Sequence, residues 1–416
     1  MKKKIFGFII IITLGVISIF FINTLLSREN YKSPELTVMV PQEDLKASVF
    51  SIPTGDYIGR KEKITITVNG DIMFHGTQIN NAYSNGKYNF DENFIKIKKY
   101  IQNADLALGN FETTTAGGQP SGYPVFNAPD ETLTTLSSLG YDVLSTANNH
   151  CLDKGKNGII RTISKINENN MINVGTYVEP GEHIEIIDIR GVKLSILSYT
   201  YGLNGMDSLL SNSEREYMVN LIDKDKIKSD IYKSEEMGVD FTIVLIHWGN
   251  EYQLTPSSYQ RELANDMFNW GADIILGSHP HVIQESKIVE KDGKAKYVIY
   301  SMGNFISNQR RETLSSIENR VYTEDGVIVN ITLEKDFLYD ESKLVSVNYI
   351  PTWVYRYGNS GSYNYEVLPI RETLNSSNQL DNTTINKLRQ SYIHTMTKMK
   401  LYKDFGGRNG KIYEND

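Results

Sequence analysis

"GADIILGSHPHVIQ", residues 271–284, is a short apolar run that stops on Gly277, Ser278, His279, Pro280 and His281. The pattern recurs in "ITITVNGD" (64–71), "ADLALGNFE" (104–112), "YDVLSTANNH" (141–150), "DFTIVLIHWGNE" (240–251) and "KYVIYSMGNF" (296–305). Each is an apolar segment of strand length that ends in Gly, Asn, Ser or His. Helical stretches lie between them, and that alternation implies an α/β domain. In open α/β sheets chemistry collects outside the carboxyl ends of the strands, so the polar residues at those ends are the first candidates for a site.

The helices are legible from their caps and apolar spacing. Asp91 is placed to cap 92–103, where Phe94, Ile97 and Ile101 share a face; Asp130 is placed to cap 131–140, closed by Gly140. Thr255 and Pro256 open a third helix carrying Tyr259, Leu263, Met267 and Trp270 on one face, stopped by Gly271. These faces read as core. After Pro351 the chain turns polar and Asn/Ser-rich before a last helix over 385–402. The expected organisation is 1–28 as a basic cluster and membrane anchor, 29–62 as an extracellular stalk, 63–355 as the main domain, and 356–416 as a C-terminal extension.

The chain has 416 residues, 43 basic and 50 acidic, and a net charge of −7. Mild acidity spread over this length argues against nucleic acid as a partner and against a polybasic membrane-surface protein. "MKKK" precedes an uncharged run from Ile5 to Leu26, long enough to cross ~30 Å of hydrocarbon as a helix. A cleaved signal has an apolar core of ~7–15 residues and a small-residue cleavage site, neither of which is seen. The expectation is therefore an uncleaved single-pass anchor, with the lysines cytoplasmic and the remainder outside the cell. The one cysteine, Cys151, has no internal disulfide partner; following "ANNH", it is either near chemistry or a small packing residue.

Asp71, Glu112, Asn149, His150, His247, His279 and His281 all lie at strand ends. Singly, each has a plain alternative: Asp71 as a cap, Glu112 as a solvated loop acid, Asn149 and His150 as a turn, His247 as a satisfied core histidine. Together they form a nitrogen–oxygen donor set without thiolate, suited to Mn, Fe or Zn, one or two ions per chain. In an extended segment His279 and His281 point the same way and reach one point, with Gly277 permitting a sharp turn. His75 is a spare ligand or a loop group; His183 and His394 read as surface residues.

"VNGDIMFHG", "LGNFE", "NAPDETLTTLSSLGYDVLSTANNHCLDKGKNGI", "NVGTY", "IHWGNEY", "GADIILGSHPHVIQ" and "YSMGNF" resemble, in order and spacing, the CapA family of poly-γ-glutamate capsule synthesis proteins, a branch of the calcineurin-like metallophosphoesterases. The resemblance covers Lys63 to Tyr355. It implies a four-layer αββα sandwich with metals at one end. Asp71 resembles the first-strand metal ligand, Glu112 stands at the bridging carboxylate, and Asn149 resembles the amide ligand. His247, His279 and His281 match the later histidine ligands, and His150 the neighbouring acid. Asn110 and Asn304, in the two "GNF" motifs, are assigned to substrate binding. Two positions depart from the superfamily pattern: Met73 stands where D-x-H has its histidine, and Glu112 replaces an aspartate.

The resemblance implies a membrane-anchored extracellular component of poly-γ-glutamate synthesis or export, working with membrane-embedded synthase subunits on an anionic polymer. The alternatives are a metal-dependent phosphohydrolase or γ-glutamyl hydrolase without a capsule role, and a non-enzymatic polymer-binding export component.

Overall fold

The computed structural model describes residues 59–359, 361–376, 380–399 and a last strand at 402–404. The expected anchor over 5–26 and almost all of the stalk lie outside the described residues. Among those described, no helix is long and apolar enough to cross a membrane. Gly55–Asp416 forms one compact unit.

The strands alternate between two sheets as the chain advances. β1 (Lys61–Ile72), β2 (Leu106–Phe111), β3 (Val143–Ser145) and β4 (Ile172–Val174) begin the first sheet. β5 (Glu185–Ile189), β6 (Val192–Thr200), β7 (Phe241–His247), β8 (Ile274–Ser278), β9 (Ser286–Lys291) and β10 (Lys294–Ile299) build the second. The chain then returns to the first sheet with β11 (Asn304–Ile306), β12 (Asp325–Asp336), β13 (Glu341–Asn359) and β14 (Ser362–Pro369), and β15 (Tyr402–Asp404) joins the second. The orders are β14-β13-β12-β1-β2-β3-β4, with β11 beside the end of β1, and β15-β9-β10-β8-β7-β6-β5. β1 through β4 are parallel, as are β6, β7, β8 and β10, so each sheet carries a parallel half whose carboxyl ends share one edge.

The period-two alternation of these strands assigns the layers. Ile64, Ile66, Val68 and Leu108 of the first sheet pack against Leu194, Ile196, Ile243, Leu245 and Ile274 of the second. The intervening residues face outward onto helices. Ile72, Ala107 and Leu144 meet Leu133 and Leu136 of α1 (Glu131–Leu139) and Ile166 of α2 (Gly155–Glu168). Val244, Ile246 and Ile275 meet Ile227 and Ile231 of α3 (Lys224–Glu236), and Leu263 and Met267 of α4 (Ser258–Trp270). The result is the expected four layers, αββα. Each of these buried aliphatic side chains contributes roughly 1.5–3 kcal/mol, so the frame under the carboxyl-end loops is stiff.

Several local expectations change. The helix expected over 92–103 is a 3-10 turn at Asp91–Asn93 and a short helix at Lys98–Gln102, although Phe94, Ile97 and Ile101 are all buried. Asp130 does not cap α1 with its side chain; its carboxylate is taken by Arg161, at 2.7 and 2.8 Å. Gly140 does close that helix, at φ 94°. α4 is capped by Ser257, which accepts from the amide of Gln260. The boundary expected after Tyr355 falls inside β13, and β14 continues the same sheet. The last helix, α5 (Asn382–Lys398), starts three residues early and packs Leu388 against Trp353 and Leu368. His394, expected at the surface, is turned in, with Nδ1 3.0 Å from Asp325 Oδ2. Cys151 is a packing residue, buried beside Leu152, Ile159 and Met218, and burial pushes its thiol up to about 12.

Candidate metal centre

The two carboxyl edges meet at Asp71, which ends β1. Its amide donates to Gly303 O at 3.0 Å. That approach needs Gly70, because a Cβ there would lie 2.0 Å from the same oxygen. Across the interface, Gly277 in β8 serves a similar need: a Cβ would lie 2.1 Å from Tyr300 O. It allows close strand packing rather than the sharp turn its position suggested. The turn falls on the histidines themselves, His279 at φ 98° and His281 at φ 56°, a conformation uncommon for non-glycine residues and frequent at functional sites.

Backbone and side-chain bonds hold that turn in place. Trp248 N donates to Ser278 O at 3.1 Å, Tyr252 N to Pro280 O at 2.8 Å, and Asn304 Nδ2 to His281 O at 3.4 Å. The segment is therefore not extended and the ring centroids are 5.9 Å apart, yet the two histidines can still bring one ligand atom each within 4.8 Å of one another, as expected. Each also joins a group of its own. Asp71, Glu112 and His281 can bring one ligand atom each within 4.8 Å of one another, and so can Glu112, His247 and His279. Glu112 belongs to both. Its Oε1 is 3.5 Å from His247 Nε2 and 3.8 Å from His281 Nε2.

Neighbouring amides fix the ring nitrogens. Asn110 Nδ2 donates to Asp71 Oδ1 at 2.8 Å and lies 3.3 Å from His247 Nδ1. His247 Nε2 lies 2.7 Å from Asn149 Oδ1. His281 Nδ1 sits between two acceptors, Asp71 Oδ2 at 3.0 Å and Asn304 Oδ1 at 3.2 Å, so it holds the proton and Nε2 is the free nitrogen. Asn110 and Asn304, assigned to substrate binding, are both buried in this network. His150 lies beside it, Nδ1 2.8 Å from Asp153 Oδ2, its ring edge-on to Phe126.

The electrostatics call for a cation. Glu112 is fully buried; burial first, then the charges of Asp71 and Glu251, raise its carboxyl well above the usual range. Burial, and then the imidazoles around them, hold His247 and His279 well below 6.5. Burial pulls His281 down too, but its hydrogen bond to Asp71 and the charges of Asp71 and Glu251 outweigh that and raise it. Glu112 Oε1, Asn110 Oδ1 and His279 Nδ1 are buried without a hydrogen-bond partner. Buried carboxylates facing neutral imidazoles, with orphaned donor atoms between them, fit divalent transition metal ions.

The model of the bacterial capsule synthesis protein (PGA_cap) family matches residues 65–309, from β1 to just past β11. The chain belongs to this family. Every residue of the PGA_cap centre named above lies within the match. Similar relatives are the capsule biosynthesis protein CapA of Bacillus anthracis, 31% identical over 60% of this chain and 61% of that protein, and the PGA biosynthesis protein CapA of Bacillus subtilis strain 168, 26% identical over 59% and 62%. The alignments thus span about three-fifths of each relative's length. Among solved structures, a calcineurin-like phosphoesterase of B. subtilis is similar at TM-score 0.40 and 17% identity, covering 81% of this chain and 99% of that one. A phosphatase of Mycoplasma pneumoniae is similar at TM-score 0.40 and 16% identity, covering 70% and 94%.

His75, the candidate to make up for the D-x-H departure, joins none of the three-residue donor groups. Met73 is buried, its sulfur 3.9 Å from Ser307 Oγ. His75 Nδ1 accepts from Asn308 N at 3.2 Å, and burial, followed by the charge of His281, holds the ring at about 3. The PGA_cap centre also contains residues that sequence reasoning passed over: Asp153 and Asn204 beside His150, Tyr201 over His279 at 4.4 Å, and Glu251 with Tyr252 near His281. Asp153 had a local signal, three residues after His150, and so had Glu251 and Tyr252, four and five after His247; Tyr201 and Asn204 come from a loop distant in sequence.

Proposed function

We propose that this protein is a membrane-anchored extracellular component of poly-γ-glutamate capsule assembly, carrying a two-site divalent-metal centre of hydrolase type. Family membership and the names of the Bacillus relatives support the capsule role. The uncharged run over 5–26 after "MKKK" supports the anchor. The observation that carries the metal centre is Glu112, a single carboxylate common to two three-residue groups. On this reading the protein works with membrane-embedded synthase subunits on an anionic γ-glutamyl polymer.

Asp71, Glu112 and His281 would hold one ion, and Glu112, His247, His279 and Asn149 the other, with Mn, Fe or Zn suited to the donors. A bound ion supplies Lewis-acid polarisation of a phosphoryl or carbonyl oxygen. The remaining steps belong to the chain. Asp153 holds the proton on His150 Nδ1, leaving Nε2 to give and take a proton at the leaving group. Phe126 fixes the arrangement twice: its ring packs on His150, and its amide donates to Asp153 Oδ2 at 2.6 Å. Asn110 and Asn304 keep the ligand nitrogens oriented, as outer partners of metal ligands do.

The test is turnover by the Mn²⁺-loaded protein on phosphoesters and on γ-glutamyl polymer. Hydrolysis that disappears in His150→Ala while bound metal is retained supports the reading. Absence of turnover on every substrate, with polymer binding intact, removes the hydrolase and leaves a polymer-holding component.

A further inference from the structure

The D-x-H histidine is replaced by Met73, a buried thioether whose sulfur lies 3.9 Å from Ser307 Oγ and which offers no imidazole or carboxylate donor. The half of the centre nearest β1 therefore takes Asp71 as its one ligand from this segment, and His75 Nδ1 is already committed to a backbone amide. A third group of donor atoms lies at the same edge: Glu251, His279 and His281, again within 4.8 Å of one another. Two of its members are the buried histidines of the centre; the third is an exposed carboxylate from the loop after β7.

That loop is not free to wander. Tyr252 takes φ 64°, its amide donates to Pro280 O between the two histidines, and its carbonyl accepts from Asn319 Nδ2 at 2.9 Å. Gln284 Nε2 donates to Gln253 O at 2.8 Å. Glu251 is thus fixed to the same turn that carries His279 and His281, and its charge acts on Glu112, His281 and Tyr201. His279 Nδ1, buried and without a partner, is an independent sign that a donor here awaits a ligand.

We propose that Glu251 is a metal ligand of this centre, supplying from the solvent side the donor that a histidine at position 73, just past β1, would have supplied. The inference rests on the metal-centre reading above. An exposed carboxylate closing the mouth makes the ion easier to load and to lose than one enclosed by buried ligands alone. It also places an anion where an acidic polymer would enter, so a substrate carboxylate or phosphoryl oxygen would compete with Glu251 for the ion.

The experiment is titration of the full-length, detergent-solubilised, chelator-treated protein with Mn²⁺, following bound ion by calorimetry and elemental analysis, in wild type, Glu251→Ala and His75→Ala. At least one bound ion is expected to weaken by about tenfold or more in Glu251→Ala, since even outer-shell partners are worth that much, while His75→Ala binds as wild type. Unchanged affinity of every ion in Glu251→Ala overturns the proposal, as does a loss confined to His75→Ala. A wild type that binds no divalent ion overturns the metal-centre reading itself, a distinct result. Circular dichroism of the chelator-treated variants separates ligand loss from misfolding, and Glu251, being exposed and outside the core, is expected to leave the fold intact.

Discussion

The two halves of the centre share Glu112 and differ in almost everything else. One is anionic: Asp71 and Glu112 face His281, whose ring binds its proton more tightly than usual despite burial. The other is built on neutral imidazoles: burial first, then His279 for His247 and His281 for His279, hold the two well below their ordinary value. The imidazole half is ready to donate to a metal at any pH near neutrality. The anionic half carries two carboxylates, Asp71 and Glu112, and offers His281 Nε2 as its nitrogen donor. One fold edge thus offers two donor groups of unlike character, joined by one carboxylate.

The largest effect is expected from the shared residue. Glu112→Gln should weaken both ions by about a hundredfold or more, because both halves lose their common ligand. In the chelator-treated protein the same change should leave melting unchanged or raise it, since it removes a buried charge without a cation. Titration and thermal melts check both. If only one ion weakens, the halves are not joined at Glu112.

Next come the two histidines of the turn. His281→Ala should weaken only the ion beside Asp71, and His279→Ala only the ion beside His247, each by ~10–100-fold. Equal loss of both ions in each variant would merge the halves into one site. Turnover in Asp153→Asn should fall by ~100-fold or more with metal content unchanged, because His150 loses the acceptor that holds its Nδ1 proton.

The smallest effect is on metal-stripped stability against pH. His247 and His279 have folded values below 6.5, so their contribution is complete above that pH and is lost as acid protonates the unfolded chain. His281 has the opposite sign: its contribution is complete below 6.5 and is lost as pH rises through its raised folded value. Melts of EDTA-treated protein should therefore fall on acidification below 6.5. The fall should be shallower in His279→Ala, whereas His281→Ala should alter the pH dependence only above 6.5, removing the loss seen there; the reverse pattern would exchange the characters of the halves.

Much of this was legible in the sequence, and the exceptions have physical causes. Strand runs such as "FTIVLIH" declared themselves because both sheet faces bury apolar residues, and the polar residue ending each run marked the site. The segment over 92–103 kept its apolar face but not its helix: Phe94, Ile97 and Ile101 reach the core through turns as well as through a helix. The polar tract after Pro351 concealed strands, although "YNYEVLP" alternates as a strand should. The left-handed backbone at His279 and His281 is imposed by bonds from Tyr252, Trp248 and Asn304, residues remote in sequence, and no local pattern announces it. Glu251, four residues after His247 in "IHWGNEY", was in plain view; only its approach to His279 and His281 depends on that turn.

The central claim, that one carboxylate joins two metal sites, is tested most directly by electron paramagnetic resonance of the full-length protein loaded with Mn²⁺. The account requires about two ions per chain with exchange-coupled spectra, the coupling lost in Glu112→Gln. One ion per chain, or two with uncoupled spectra identical in wild type and Glu112→Gln, would contradict it.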